Sequence, residues 1–346
     1  MGLILLLLTA VVLLWLFGAA ALVYSLTHPR RKTFAVALGR GDPTDPADLG
    51  LEAQEVTFSL SDRSRTPGWV IQGGGESCGD DEAGGDPRQL RSPRHGVVTT
   101  TGGSSPGRLT VVIVHGFGDS RYGALKRVPL VVPYARRVVV FDLPGQGESE
   151  SRRGYGGLRE PKDVLAVLEQ LEVADARRIV LLGSSMGAGV AIAAAAQAGG
   201  ELRGRIVGVI AEAPYRHWDE PLHNRFKHHH YPRWPIIPLA GLWLTLTAKG
   251  FTRFDRAGYA AQLACPLRVI HGSDDPLCPI TSAKEIAEAA PAGELIEIPG
   301  GRHDDLPTAH EPAYKDAIAG FLKMLCEPDR SGKIASLAAP APGAPE

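Results

Sequence analysis

One stretch restricts the possible folds of this 346-residue chain more than any other: Arg178 to Ala198, RIVLLGSSMGAGVAIAAAAQA. Ile179 to Leu182 is an apolar, β-branched run that reads as a buried strand, and Ala188 to Ala198 is a strong helix former. The turn between them, Gly183-Ser184-Ser185-Met186-Gly187, fits the G-x-S-x-G pattern, and only Ser185 has glycine at both required places. In such a turn the strand and helix backbones crowd the flanking positions, so a side chain there would strain it. Gly189, further along, can let the helix pack closely on the sheet. The free N–H groups at the helix start would face negative charge developing beside Ser185.

A strand–turn–helix needs a sheet to belong to, and the remaining chain supplies one. Glu55 to Leu60 and Gly68 to Gln72 read as a hairpin. Leu109 to Val114, Arg137 to Phe141, Ile206 to Ile210, Leu267 to Ile270 and Leu295 to Ile298 are short apolar strands. Helices are expected over Tyr122–Ala135, Pro161–Val173, Ser282–Ala289 and Pro312–Leu325. Such alternation implies a mostly parallel, twisted sheet with helices on both faces. With 44% hydrophobic and 22% charged residues, one large domain over 52–326 suits the length better than two equal ones.

Several segments fall outside this rhythm. From Gly2 to Thr27 there is no charged residue, and Leu3 to Tyr24 is almost wholly apolar. As a helix those residues span roughly 33 Å, enough for a ~30 Å hydrocarbon core, and predict one transmembrane helix with membrane contact through residues 3–24. Ala19-Ala20-Ala21 could mimic a signal-peptide cleavage site, but the run exceeds the usual h-region and no Lys or Arg precedes it, which favours an uncleaved anchor. His28-Pro29-Arg30-Arg31-Lys32 follows directly, so the positive-inside rule puts the domain on the cytoplasmic side; export of a large domain is the alternative. Residues 28–51 read as a polar connector, 73–107 as a mobile insertion poor in aliphatics, 214–262 as a cap and 327–346 as a disordered Ala/Pro-rich tail. The net charge of −1, with no basic stripe, argues against nucleic acid as a partner. Cys78, Cys265, Cys278 and Cys326 show no paired spacing and read as ordinary thiols. His228-His229-His230 cannot all face one ion from a regular element, so no metal site is expected there.

In a parallel sheet, functional groups gather at the carboxyl ends of strands. After Leu109–Val114 stands His115-Gly116-Phe117-Gly118-Asp119-Ser120, a loop able to present backbone N–H groups. Acyl transfer needs two such donors, for which Phe117 N–H and Met186 N–H are candidates. His115 itself is expected to make a loop hydrogen bond. After Phe141 the turn Asp142-Leu143-Pro144-Gly145-Gln146-Gly147-Glu148-Ser149 has no assigned chemistry. A serine hydroxyl needs an imidazole to take its proton and a carboxylate to orient that imidazole. His271-Gly272-Ser273-Asp274-Asp275-Pro276-Leu277-Cys278-Pro279 and Gly300-Gly301-Arg302-His303-Asp304-Asp305 follow the last two strands and can supply them.

With HGFGDS at 115, DLPGQGES at 142, GSSMG at 183, HGSDDPLCP at 271 and GGRHDDL at 300, in that order, residues 52–326 resemble an α/β-hydrolase-fold serine hydrolase. The chain is similar to the serine-aminopeptidase-like and monoacylglycerol-lipase-like branch, many of whose bacterial members carry a membrane anchor. The resemblance implies the α/β-hydrolase fold with a short cap. In the family's H-G-x-x-D-x-x-x-P turn the fifth position is the acid, which selects Asp275 over Asp274. Ser185 is then the nucleophile, His303 the base, and Phe117 and Met186 the oxyanion donors. Gln146 stands where the family often has histidine, a harmless departure by expectation. The function implied is cofactor-free cleavage of small-molecule or lipid esters. Acyl transfer, thioester or peptide cleavage would use the same groups, and a non-catalytic binding module is the remaining alternative.

Overall fold

The computed structural model describes residues 1–74, 109–151, 153–171, 176–247 and 254–326. The expected insertion, apart from residues 73 and 74, and the expected tail lie outside these residues. Eight strands form one sheet in the order β1-β2-β4-β3-β5-β6-β7-β8. The hairpin β1 (Ala53–Ser59) and β2 (Arg65–Gln72) enters antiparallel, and β2 pairs antiparallel with β4 (Ala135–Phe141). From β4 through β3 (Leu109–Val114), β5 (Arg178–Ser184), β6 (Ile206–Glu212), β7 (Leu267–Gly272) and β8 (Gly293–Ile298) every pairing is parallel.

The central strands are covered on both faces. All six residues of β3 are buried, as a continuous apolar run requires. One core holds Val112, Leu181 and Val209 under two helices, α2 (Glu160–Gln170) and α3 (Met186–Gln197). The opposite core holds Val111, Val180 and Ile210, with Tyr314 and Phe321 from the C-terminal helix Glu311–Cys326. The helix expected over Tyr122–Ala135 is instead a chain of short turns, Arg121–Ala124, Leu125–Arg127, Val128–Val131 and Val132–Tyr134. Pro129 and Pro133 each lack a backbone donor, which prevents a continuous α-helical ladder.

Helix α1 (Gly2–Thr27) is long and apolar enough, by length and composition, to cross a membrane, and a signal sequence passes the same test. Its C-terminal half packs on the domain. Ala19, Leu22 and Val23 meet Ile237, Ala240 and Leu244 of the apolar helix Ile236–Thr247, and Trp15 lies edge-on to Trp234 at 6.1 Å. The segment read as a polar connector is also folded onto the domain. Ala37 is fully buried, Phe34 N–H donates to Glu148, and Lys32 is ion-paired within the fold. Glu148 and Asp119 are far away in sequence, so the local polar composition gave no sign of these contacts.

Contrary to the expectation of ordinary thiols, one cysteine is bonded. Cys265 and Cys278 are free and buried, but Cys326, in the last turn of the C-terminal helix, is disulfide-bonded. Sequence spacing alone could not reveal a bond made by folding.

Candidate active site

Ser185 sits at the tightest point of the β5–α3 turn, with φ 53° and ψ −116°. A non-glycine residue rarely adopts this conformation, and here it is held by Ser185 N–H donating to Glu212 O (2.8 Å) at the end of β6. The flanking glycines are required by space. A Cβ on Gly187 would lie 2.2 Å from Val114 O, and one on Gly183 would lie 2.1 Å from Gly187 O. Gly189 answers to a different neighbour than expected: the space beside it holds the Arg256 side chain, not the sheet. Arg256 in turn stacks over Tyr215, 3.9 Å from the ring centre.

The β5, β7 and β8 ends converge on one hydrogen-bonded line. Ser185 Oγ is 2.9 Å from His303 Nε2, and His303 Nδ1 is 2.7 Å from Asp275 Oδ2. An ionised carboxylate only accepts, so Nδ1 carries the proton and Nε2 is left as the acceptor facing the serine hydroxyl. Asp275 is fixed through its other oxygen, which accepts N–H from Leu277 (2.8 Å) and Cys278 (2.9 Å). Asp274 is not part of this line; its carboxylate accepts from Ser273 Oγ. His271, fully buried, lies with Nε2 3.1 Å from Cys278 O and 3.5 Å from Asp275 Oδ2.

Electrostatics favour a charge-ready pair. Burial acts to lower the His303 pKa, but the hydrogen bond and charge of Asp275 outweigh it and the net shift is upward. Burial likewise acts to raise Asp275, and the His303 contact with the two backbone N–H groups reverses this, leaving its carboxyl below the ordinary range. For His271 burial wins and the pKa lies below the ordinary imidazole value.

The loop after β3 lies against the serine. A Cβ on Gly116 would stand 3.3 Å from Ser184 O and 3.5 Å from Ser185 Cβ, so the loop passes the serine turn closely at Gly116. Among the described residues, three side-chain hydrogen bonds hold this loop. His115 Nε2 accepts Leu143 N–H (2.9 Å), so its Nδ1–H donates to Gly116 O (2.8 Å), and Gly118 N–H donates to Gln146 Oε1 (2.5 Å). In a trans peptide the Gly116 carbonyl and the Phe117 N–H point in opposite directions, so anchoring one aims the other. Gln146, expected to be without a part, fixes the loop; nothing local in DLPGQGES signals a contact 28 residues away.

Behind the serine, Arg127 donates to both Glu212 oxygens (2.6 Å each) and Tyr314 Oη donates to Glu212 Oε2 (2.6 Å), all buried. Asp275, Cys278 and His303 present donor atoms within 4.8 Å of one another, and two of the three residues are the pair already bonded. His228 ends the helix Glu220–His228, and His229 stacks on Tyr231 in an exposed run.

Residues 111–317 match the alpha/beta hydrolase family. The chain belongs to the alpha/beta hydrolase family. Among curated relatives, this hydrolase is 27% identical over 227 residues to the uncharacterized protein YqkD of Bacillus subtilis (strain 168), covering 62% of this chain and 70% of that one. It is 24% identical over 282 residues to the uncharacterized protein YfhR of Salmonella typhi, covering 79% and 82%. Among solved structures, an esterase of Pyrococcus furiosus aligns with TM-score 0.60 and 21% identity over 82% of this chain and 94% of its own. An esterase from Exiguobacterium antarcticum aligns with TM-score 0.52 and 15% identity over 78% and 100%. Both share the fold of this hydrolase.

Proposed function

We propose that this alpha/beta hydrolase is a membrane-anchored serine esterase that cleaves carboxylic esters of small molecules or lipids through an acyl-enzyme. Ser185 Oγ attacks the ester carbonyl while His303 Nε2 takes its proton. Phe117 and Met186 N–H groups bind the oxyanion. The tetrahedral species collapses as His303 returns the proton to the departing alkoxide, and water then attacks the acyl-serine with His303 again as base. Asp275 holds the tautomer and steadies the imidazolium formed in each step. No cofactor takes part in these steps. The basic run after α1 favours the domain on the cytoplasmic side.

The observation that carries the reading is the Ser185–His303–Asp275 line at 2.9 and 2.7 Å. Its test is p-nitrophenyl ester turnover by the full chain in detergent or nanodiscs. Ser185→Ala and His303→Ala should each lower kcat by at least about 10³-fold with folding unchanged. Turnover by Ser185→Ala at the parental rate would remove the nucleophile assignment.

A further inference from the structure

Beside Ser185 and His303 opens a cleft of about 580 Å³. One of its walls comes from the segment that precedes the sheet: Leu26 in the last turn of α1, then Lys32, Arg40 and Asp42. Sequence composition marks this stretch as an anchor and a connector, neither of which requires a place at the reacting centre.

The wall has two chemically distinct parts. Leu26, half-buried, joins Trp218 and Leu222 on the fringe of the apolar cluster where α1 meets the helix Ile236–Thr247, and all three line the cleft. The other part is an ion-pair chain. Lys32 Nζ lies 2.7 Å from Asp42 and 3.1 Å from Asp119, and Lys126 Nζ lies 2.7 Å from the other Asp42 oxygen. These four residues also line the cleft. Two cations and two carboxylates offset each other, so this part offers donors and acceptors with little net charge; Arg40 stands exposed beside it, where its charge is screened. Asp119 lies two residues beyond Phe117, so Lys32 also ties the N-terminal segment to the loop that faces Ser185.

We propose that residues 26–42 form a substrate subsite of this hydrolase and that it fits an amphiphilic ester. The apolar chain lies along Leu26, Trp218 and Leu222, and an uncharged, hydroxyl-bearing end meets the Lys32–Asp42–Lys126–Asp119 chain. The proposal rests on the esterase reading above and deepens it. An apolar wall discriminates by roughly tenfold or more per well-placed contact, and buried polar partners reject an analogue lacking their hydrogen bonds more strongly still.

The test uses the full chain in nanodiscs with three probes: p-nitrophenyl acetate, p-nitrophenyl decanoate and a decanoyl sugar ester. Wild type should prefer decanoate to acetate in kcat/KM. Leu26→Trp should lower that preference at least about tenfold, and Lys32→Met should lower the sugar-ester to p-nitrophenyl-decanoate ratio by a similar factor. Because Lys32→Met disturbs a buried ion pair, Lys126→Met at the more exposed end of the chain serves as the second variant for the polar end. Parental ratios in folded Leu26→Trp, or in both lysine variants, would overturn the subsite. Failure of wild type to hydrolyse any probe while folded would overturn the esterase reading itself, and the subsite with it.

Discussion

At the residue scale the proposed chemistry depends on which groups hold protons. His303 must be neutral to accept from Ser185, and its pKa lies above the ordinary 6.5 through Asp275. The acid limb of log kcat/KM is therefore expected above pH 6.5. Asp275→Asn takes away the opposing carboxylate and leaves burial to act, so the limb should move down and kcat should fall by about 10³–10⁴-fold; a pH–rate profile of both forms checks this. The stability contributions have opposite signs. Asp275, depressed below 3.8, stabilises above that value and loses its contribution as pH falls through its folded pKa. His303, raised above 6.5, contributes fully below that value and loses the contribution as pH rises through its folded pKa. His115 has a different part, as a positioning residue for the Gly116–Phe117 peptide. His115→Ala should lower kcat by about 10–100-fold with little change in KM, because a misaimed oxyanion donor is felt mainly in the transition state.

At the element scale, legibility followed the range of the interactions. β3 was read at its observed bounds, Leu109–Val114, because a strand buried on both faces must be a continuous apolar run. The local turns carrying Ser185, Asp275 and His303 stand out as motifs for a similar reason, since each is decided within a few residues. The distances between them are tertiary facts. The contacts that Gln146 and Lys32 make with the loop after β3 went unread because their partners lie far along the chain. Over Tyr122–Ala135 the expected helix is broken into short turns because Pro129 and Pro133 interrupt the backbone ladder. The Arg127–Glu212–Tyr314 set, which joins the turns after β3 to the end of β6 and the C-terminal helix, gives an element-scale prediction. Tyr314→Phe leaves the ion pair but removes one hydrogen bond to a charged acceptor, and should lower stability by about 1.5–3 kcal/mol in equilibrium or thermal unfolding.

At the scale of the whole molecule, α1 has the length and apolar composition of a membrane span, and its last turns pack on the helix Ile236–Thr247 and line the cleft. As an uncleaved anchor it should keep the full-length mass of the chain and leave it in the membrane pellet after alkaline extraction. A soluble product shortened near Ala19–Ala21 would mark it as a signal sequence instead.

The central claim is that Ser185 is the nucleophile, and covalent labelling tests it most directly. The full chain is treated with a fluorophosphonate, digested, and the modified peptide sequenced by mass spectrometry. The expected result is one adduct on Ser185, lost in Ser185→Ala and kept in Ser184→Ala. An adduct on Ser184, or none on folded protein that still turns over esters, would contradict the account.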